Sequence, residues 1–143
     1  MTVKPYAPIR ILFADDHEIF REGFNNLLFK QPDIEVLGEA GNGEELLKLT
    51  ASLQPDLVLT DIKMPGMDGF DVLSWIGKRP ELKRLLIVVL SGGADVKQVT
   101  RAYELGANSY LTKPTNPYDL ANLANFFRGY WTISNRSPRL AEP

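Results

Sequence analysis

The stretch Pro55–Asp68 reads Pro-Asp-Leu-Val-Leu-Thr-Asp-Ile-Lys-Met-Pro-Gly-Met-Asp and carries the clearest indication of the fold. Its short apolar run, Leu57–Leu59, is typical of a strand that is buried on both faces at the centre of a parallel sheet. The run delivers one carboxylate, Asp61, to the end of the strand, and Lys63–Gly66 then bends the chain. Taken alone, Asp61 is most simply a turn or helix-capping residue. The rest of the chain changes that interpretation.

Strand-like and helix-like segments alternate along the whole chain, which favours an α/β fold with a parallel sheet covered by helices on both faces. We predict one such domain over residues 9–131, preceded by an arm at 1–8 and followed by a flexible tail at 132–143. The predicted strands are Ile9–Ala14, Ile34–Ala40, Asp56–Thr60, Leu85–Leu90 and Asn108–Thr112, and the predicted helices are His17–Lys30, Glu44–Leu53, Phe70–Ile76, Ala94–Leu105 and Asn116–Tyr130.

The amino-acid composition argues against several classes of function. The 143 residues are 44% hydrophobic, and 16 basic against 18 acidic residues give a net charge of −2, so no basic field indicates direct nucleic-acid binding. The absence of cysteine excludes disulfides and thiolate-bound zinc. The single histidine, His17, argues against a histidine-based metal site, and we expect it on the surface at the start of the first helix. No run has transmembrane length, so a cytoplasmic location without membrane contact is the default expectation.

Polar side chains stand where four of the five predicted strands end. In a parallel α/β sheet the carboxyl ends of the strands form one edge, where ligands bind. We therefore expect these side chains to converge there. They are Asp15 and Asp16 after the first strand, Asp61 after the third, Ser91 after the fourth and Lys113 after the fifth.

Three neighbouring carboxylates repel one another, so a cation is expected among them. Oxygen ligands without cysteine suit Mg²⁺, which binds one or two carboxylates and keeps several waters. The backbone carbonyl of Lys63 could add a further ligand. A nucleophilic carboxylate beside Mg²⁺, a lysine and a hydroxyl group forms a site suited to phosphoryl transfer through an aspartyl phosphate.

This set of motifs resembles the receiver domain of bacterial two-component response regulators. The resemblance extends from Ile9 to Tyr130 and implies a flavodoxin-like fold with five parallel strands in the order 2-1-3-4-5 and five helices. It implies a stand-alone regulator of the chemotaxis or phytochrome-associated type. The residues that carry it are Asp15-Asp16, Asp61, Met64-Pro65-Gly66-Met67-Asp68-Gly69, Ser91 and Tyr110-Leu111-Thr112-Lys113-Pro114.

The resemblance also implies roles for residues. Asp61 would be the phosphoacceptor, Asp16 a direct Mg²⁺ ligand, and Asp15 a residue that acts through a metal-bound water. Lys113 would contact a phosphoryl oxygen, from a position set by a cis Lys113–Pro114 bond.

Two further residues are implied to carry the switch. Ser91 would move to hydrogen-bond the phosphoryl group, and Tyr110 would change rotamer with it. The surface formed by helix 4, strand 5 and helix 5 would then repack. The side chain of Lys63 would influence the lifetime of the phosphate, in a direction that the sequence leaves open.

The resemblance implies a sensor histidine kinase or phosphotransfer protein as donor and a downstream protein as target. The only chemistry expected is the domain's own phosphotransfer and dephosphorylation. The aromatic ending Phe126–Trp131 could pack on a partner or form a homodimer. The alternatives are the receiver part of a longer DNA-binding regulator, a pseudo-receiver, an FMN module, and a haloacid-dehalogenase-like hydrolase. Lys63 argues against the hydrolase, because it occupies the position of that family's second acid.

Overall fold

The computed structural model describes residues 8–93, 95–114 and 116–129. The predicted arm up to residue 7, the pair Tyr130-Trp131 and the tail lie outside the described residues, so the domain boundaries remain predictions. The strands are β1 (Ile9–Ala14), β2 (Ile34–Ala40), β3 (Leu57–Thr60), β4 (Leu86–Ser91) and β5 (Ser109–Thr112). The helices are α1 (Glu18–Phe29), α2 (Gly43–Leu53), α3 (Gly69–Gly77), α4 (Val96–Glu104) and α5 (Pro117–Gly129), with a 3₁₀ turn at Pro80–Leu82.

The five strands form one parallel sheet in the order β2-β1-β3-β4-β5, as predicted. The centre of the sheet is β3, and all of its residues are buried because helices cover both faces. The register pairs Ala14 of β1 with Thr60 of β3. The next residue after each strand, Asp15 after β1 and Asp61 after β3, therefore lies beside the other.

Two hydrophobic cores fill the spaces on either side of the sheet. One contains Phe13 of β1 together with Phe24 and Leu28 of α1, and Ala124 of α5 packs in the same cluster. The rings of Phe13 and Phe24 meet edge to face at 5.2 Å between centroids. The other core joins β-strand residues to α2, α3 and α4; its buried residues include Leu46, Leu73, Ile76 and Ala102. Alternate strand residues thus supply opposite faces.

The helix boundaries follow from local sequence. Asn42 caps α2 by accepting a hydrogen bond from the backbone N–H of Glu45 at 2.8 Å. Asp68 and Asp71 cap α3 reciprocally, each carboxylate accepting from the other residue's backbone N–H. After α4 the chain turns at Gly106, whose φ of +109° is left-handed, as expected for a glycine that ends a helix. Within the described part of the chain, no helix has the length and apolarity needed to cross a membrane.

Candidate functional site

The end of β3 holds the Asp61 carboxylate in a fixed, buried position. Its backbone N–H donates to the carbonyl oxygen of Ala14 at 3.0 Å, which extends the pairing of β1 and β3 by one residue. Its Oδ1 accepts from the backbone N–H of Ile62 at 2.7 Å. The residue is 3% exposed, although it belongs to the wall of an open cavity. Asp61 is therefore oriented by its own strand before anything binds.

The loop after Asp61 folds back against the strand that carries it. The N–H of Gly69 donates to the carbonyl of Ile62 at 2.8 Å. A Cβ at Gly69 would lie 2.5 Å from the carbonyl oxygen of Asp61, so only glycine allows this approach. The hydroxyl of Thr60 donates to the same carbonyl oxygen at 2.9 Å. The loop Met64–Gly69 thus packs against the backbone of Asp61, the candidate phosphoacceptor, and holds it in place.

The end of β1 brings Asp15 and Asp16 to the same edge. The backbone N–H of Asp15 donates to Ala40 at 3.0 Å, and its side chain is fully buried. The side chain of Asp16 is 33% exposed. Arg21 donates a guanidinium hydrogen bond to the carbonyl of Asp15 and pairs with Glu39 at 3.2 Å, which fixes the start of this loop.

Lys113 joins the two buried carboxylates. Its Nζ lies 2.8 Å from Asp61 Oδ2 and 2.7 Å from Asp15 Oδ2, and the lysine side chain is only 13% exposed. The backbone N–H of Lys113 donates to the Ser91 carbonyl at 2.7 Å, and its ammonium lies 5.0 Å from the ring centroid of Phe20. The expectation of a cis bond to Pro114 is wrong, because the described residues contain no cis peptide. With a trans bond, the lysine already reaches both carboxylates.

Burial and charge compete at this pair. Burial raises the pKa of Asp61, as does the neighbouring charge of Asp15, and these effects outweigh the lowering by Lys113. Burial by itself lowers the pKa of Lys113, but contacts with Asp15 and Asp61 outweigh it, so the pKa of the lysine is raised. The lysine therefore stays charged, and ionisation of Asp61 is made costly by burial.

A cavity of about 560 Å³ opens beside Asp61 and Lys113. Ser91 and Lys63 belong to its wall, so the structure brings both predicted residues to the site. The Ser91 hydroxyl accepts from the backbone N–H of Gly93 at 3.3 Å. Tyr110 is not in this wall; its hydroxyl donates to the Gly93 carbonyl at 2.9 Å, which links β5 to the loop that follows Ser91.

The acidic cluster has the donors that a hard divalent cation requires. Ligand atoms of Asp15, Asp16, His17 and Asp61 all lie within 4.8 Å of one another. Asp15 Oδ2 is buried without a directed hydrogen bond in the described part of the chain, and Lys113 contacts it as an ion pair. Oxygen donors that remain under-coordinated in this way fit Mg²⁺ or Mn²⁺. The contribution of the Lys63 carbonyl stays a prediction.

Some cavity residues were not anticipated. Ile19 and Phe20 of α1 and Gln98 of α4 form part of the wall, and His17 approaches the carboxylates. Phe20 lies four residues after Asp16, which places it about one helical turn from the acidic pair. The position of Gln98 has no local signal in the sequence.

Comparison with known proteins agrees with this geometry. The model of the response regulator receiver domain family matches residues 11–125. The response regulator protein VraR of Staphylococcus aureus is 39% identical over 114 residues, covering 80% of this chain and 54% of that protein. The chain thus spans about half the length of the curated relatives it matches. The family match does not support the hydrolase alternative.

Two solved structures extend the comparison. The phosphorylated cyanobacterial phytochrome response regulator RcpA superposes with a TM-score of 0.83 at 26% identity, covering 92% of this chain and 99% of that one. The Mn²⁺-bound form of response regulator Rcp1 gives 0.80 at 28% identity, with the same coverage. The fold, the acidic edge and the family match lead to one conclusion: this chain belongs to the receiver domain family of response regulators.

Proposed function

We propose that Asp61 accepts a phosphoryl group from a phosphohistidine donor in a Mg²⁺-dependent reaction. The observation that carries the proposal is the pairing of a buried, oriented Asp61 carboxylate with Lys113 at 2.8 Å, at the mouth of a cavity. Asp15 and Asp16 stand next to this pair and supply the further oxygen donors. The Mn²⁺-bound structure of the response regulator Rcp1 supports a divalent ion for this family.

In the proposed step, a carboxylate oxygen of Asp61 attacks the phosphorus atom of the donor phosphohistidine. A P–O bond forms and the P–N bond breaks, and the departing imidazole nitrogen takes up a proton. Bound Mg²⁺ would neutralise phosphoryl oxygens and align them with the carboxylate. Lys113 holds the carboxylate in place and can then transfer one hydrogen bond to a phosphoryl oxygen.

The switch that we propose runs from Ser91 to Tyr110. A phosphoryl group on Asp61 adds charge and acceptor oxygens on the side of the cavity where the Ser91 hydroxyl stands. If Ser91 turns to donate to it, the Gly93 N–H loses its acceptor, and the same loop holds the Tyr110 hydroxyl. The surface formed by α4, β5 and α5 is thereby coupled to the site.

This surface is where we expect the downstream protein to bind, with a histidine kinase or phosphotransfer protein as the donor. In the proposal the domain catalyses only its own phosphorylation and dephosphorylation, in the cytoplasm. Residues 9–131 form the functional unit. A homodimer is compatible with the switch, and size-exclusion chromatography with light scattering, with and without beryllofluoride, tests it.

The decisive experiment is phosphorylation by acetyl phosphate with Mg²⁺, comparing the parent with Asp61→Asn. We expect an acid-labile, hydroxylamine-sensitive phosphate on the parent only, and no labelling in EDTA. The matched control is Asp68→Asn, which changes another loop acid while an amide can keep the capping bond. Labelling that persists in Asp61→Asn, or that does not need a divalent ion, would refute the proposal.

A further inference from the structure

The imidazole of His17 faces the acidic cluster. Its Nδ1 lies 3.2 Å from Asp15 Oδ1 and 3.3 Å from Asp16 Oδ1. From the sequence we expected this histidine on the surface and not among the metal ligands, and its side chain is 68% exposed. Its Nδ1 nevertheless contacts the buried carboxylate of Asp15.

The spacing of these atoms is that of neighbouring ligands around one cation. Donors bound at about 2.1 Å in an octahedron are roughly 3.0 Å apart when adjacent and about 4.2 Å apart when opposite. The two distances from His17 Nδ1 approach the adjacent spacing. The whole group of four ligand atoms lies within 4.8 Å, so small rotamer adjustments bring all of them into a single coordination sphere.

The backbone holds His17 beside the carboxylates. His17 is the residue that precedes α1, where a side chain often caps the helix, yet its imidazole makes no capping hydrogen bond. Its backbone N–H instead donates to Asp15 Oδ1 at 2.8 Å, and its carbonyl accepts from Arg21 at 2.9 Å. These bonds fix the Cα of His17 beside the carboxylates and leave the ring to point at them.

His17 Nδ1 lies among three charged groups. Lys113 Nζ is 3.3 Å from it, and the nearest carboxylate oxygens of Asp15 and Asp16 are at 3.2 and 3.3 Å. An ammonium group donates to an Nδ1 lone pair, whereas a carboxylate accepts from Nδ1–H, so these contacts suit different tautomers. A divalent ion at this point would bind the Nδ1 lone pair and pair with both carboxylates.

We infer that His17 Nδ1 is an additional ligand at this site, which makes it a mixed imidazole and carboxylate centre. Imidazole favours later divalent ions such as Co²⁺, Ni²⁺ and Zn²⁺, whereas carboxylate and water suit Mg²⁺ and Mn²⁺. The site therefore accepts Mg²⁺ through Asp16 and Asp61 and binds the later ions more tightly through His17. This inference rests on the proposed metal site and specifies its ion selectivity.

The test is titration of tag-free protein with Mg²⁺ alone and with Ni²⁺ alone by isothermal calorimetry. We expect His17→Ala to weaken Ni²⁺ binding at least tenfold and Mg²⁺ binding less than threefold. The matched control is Glu18→Gln, which removes the adjacent acid and should leave the ratio of the two affinities unchanged. Asp16→Asn should weaken both ions.

A spectroscopic measurement separates ligation from a structural role. The chain has one histidine, so selective ¹⁵N-histidine labelling gives a single imidazole. We expect diamagnetic Zn²⁺ to shift its Nδ1 resonance much more than its Nε2 resonance. Equal Ni²⁺ affinity in the parent and His17→Ala, or an unmoved Nδ1 resonance, would overturn the inference and leave the Mg²⁺ site intact. Full retention of both ions by Asp16→Asn would instead overturn the proposed site.

Discussion

Replacing Lys113 by Met removes the one charge that touches both buried carboxylates. The variant keeps the aliphatic stem, and Asp61 and Asp15, 3% and 0% exposed, are left facing each other without that cation. Removing one partner of a buried ion pair costs about 3–5 kcal/mol. Because Asp61 can relieve part of this by taking up a proton, we expect a loss of about 3 kcal/mol in metal-free buffer at pH 7.5. For a domain of this size, that loss lowers the melting temperature by roughly 10 °C.

The loss should depend on pH in a defined direction. Burial and Asp15 already raise the pKa of Asp61, and Lys113 opposes them, so the variant's Asp61 should have a still higher pKa. A carboxylate with a raised folded-state pKa destabilises the fold when ionised. That penalty is complete above the folded-state pKa, shrinks as the pH falls through it, and is gone below the unfolded-state pKa. The raised pKa of Lys113 makes its contribution complete below the unfolded-state value and lost above the folded-state value. The parent and Lys113→Met should therefore differ most at neutral to mildly alkaline pH and least in acid.

Urea unfolding in EDTA, followed by circular dichroism from pH 5 to pH 9, measures this difference. The matched control is Lys63→Met, an exposed lysine on the same cavity wall, which should change the unfolding free energy by less than about 0.5 kcal/mol. Adding Mg²⁺ should restore part of the stability of Lys113→Met, because the ion supplies positive charge beside the carboxylates. This prediction is refuted if Lys113→Met and the parent have the same free energy of unfolding at pH 7.5. It is also refuted if the difference between them is the same at every pH.

Further outcomes follow from the loop and the ion. Gly69→Ala should lower the free energy of unfolding in urea by about 1–3 kcal/mol, because its Cβ would lie 2.5 Å from the Asp61 carbonyl oxygen. Gly77→Ala is the control: a Cβ there has its nearest atom at 3.8 Å, so the variant should be neutral or slightly stabilised. Equal changes in the two variants would contradict this prediction. Asp68→Ala should cost about 1 kcal/mol by the same measurement and Asp68→Ser much less, because serine still caps α3. Saturating Mg²⁺ at 100 times its dissociation constant should stabilise the parent by about 2.7 kcal/mol in thermal unfolding and leave a non-binding Asp61→Asn unchanged.

The fold was predictable because its signals are local or periodic. Uninterrupted apolar runs such as Leu57–Leu59 are typical of strands buried on both faces, and parallel order is then favoured by the helices between them. The observed β1 and β2 have the predicted bounds, and Gly106 follows α4 with a left-handed φ that suits the end of a helix. The 3₁₀ turn at Pro80–Leu82 was not among the predicted elements, because so short a helix has no periodicity to recognise.

The candidate site was predictable to the extent that strand ends define it. The topology brought Asp15, Asp61 and Lys113 together as the strand order required. The trans geometry before Pro114 and the inward ring of His17 were not predictable, because each depends on tertiary contacts rather than on its neighbours in sequence. The role of Arg21, which donates a hydrogen bond to the Asp15 carbonyl, was not predicted for the same reason.

The charges at this edge explain why phosphorylation can act as a switch. Asp15, Asp16 and Asp61 bring three negative charges when ionised, Lys113 returns one, and a divalent ion would bring the total to neutrality. Converting Asp61 to an acyl phosphate adds about one further negative charge in the same space. Lys113 already bridges two carboxylates, so the new phosphoryl oxygens call for a further donor. In the proposed switch that donor is Ser91. Its hydroxyl now accepts from the Gly93 N–H, and the Gly93 carbonyl accepts from Tyr110, so turning Ser91 toward the phosphoryl group would perturb this loop.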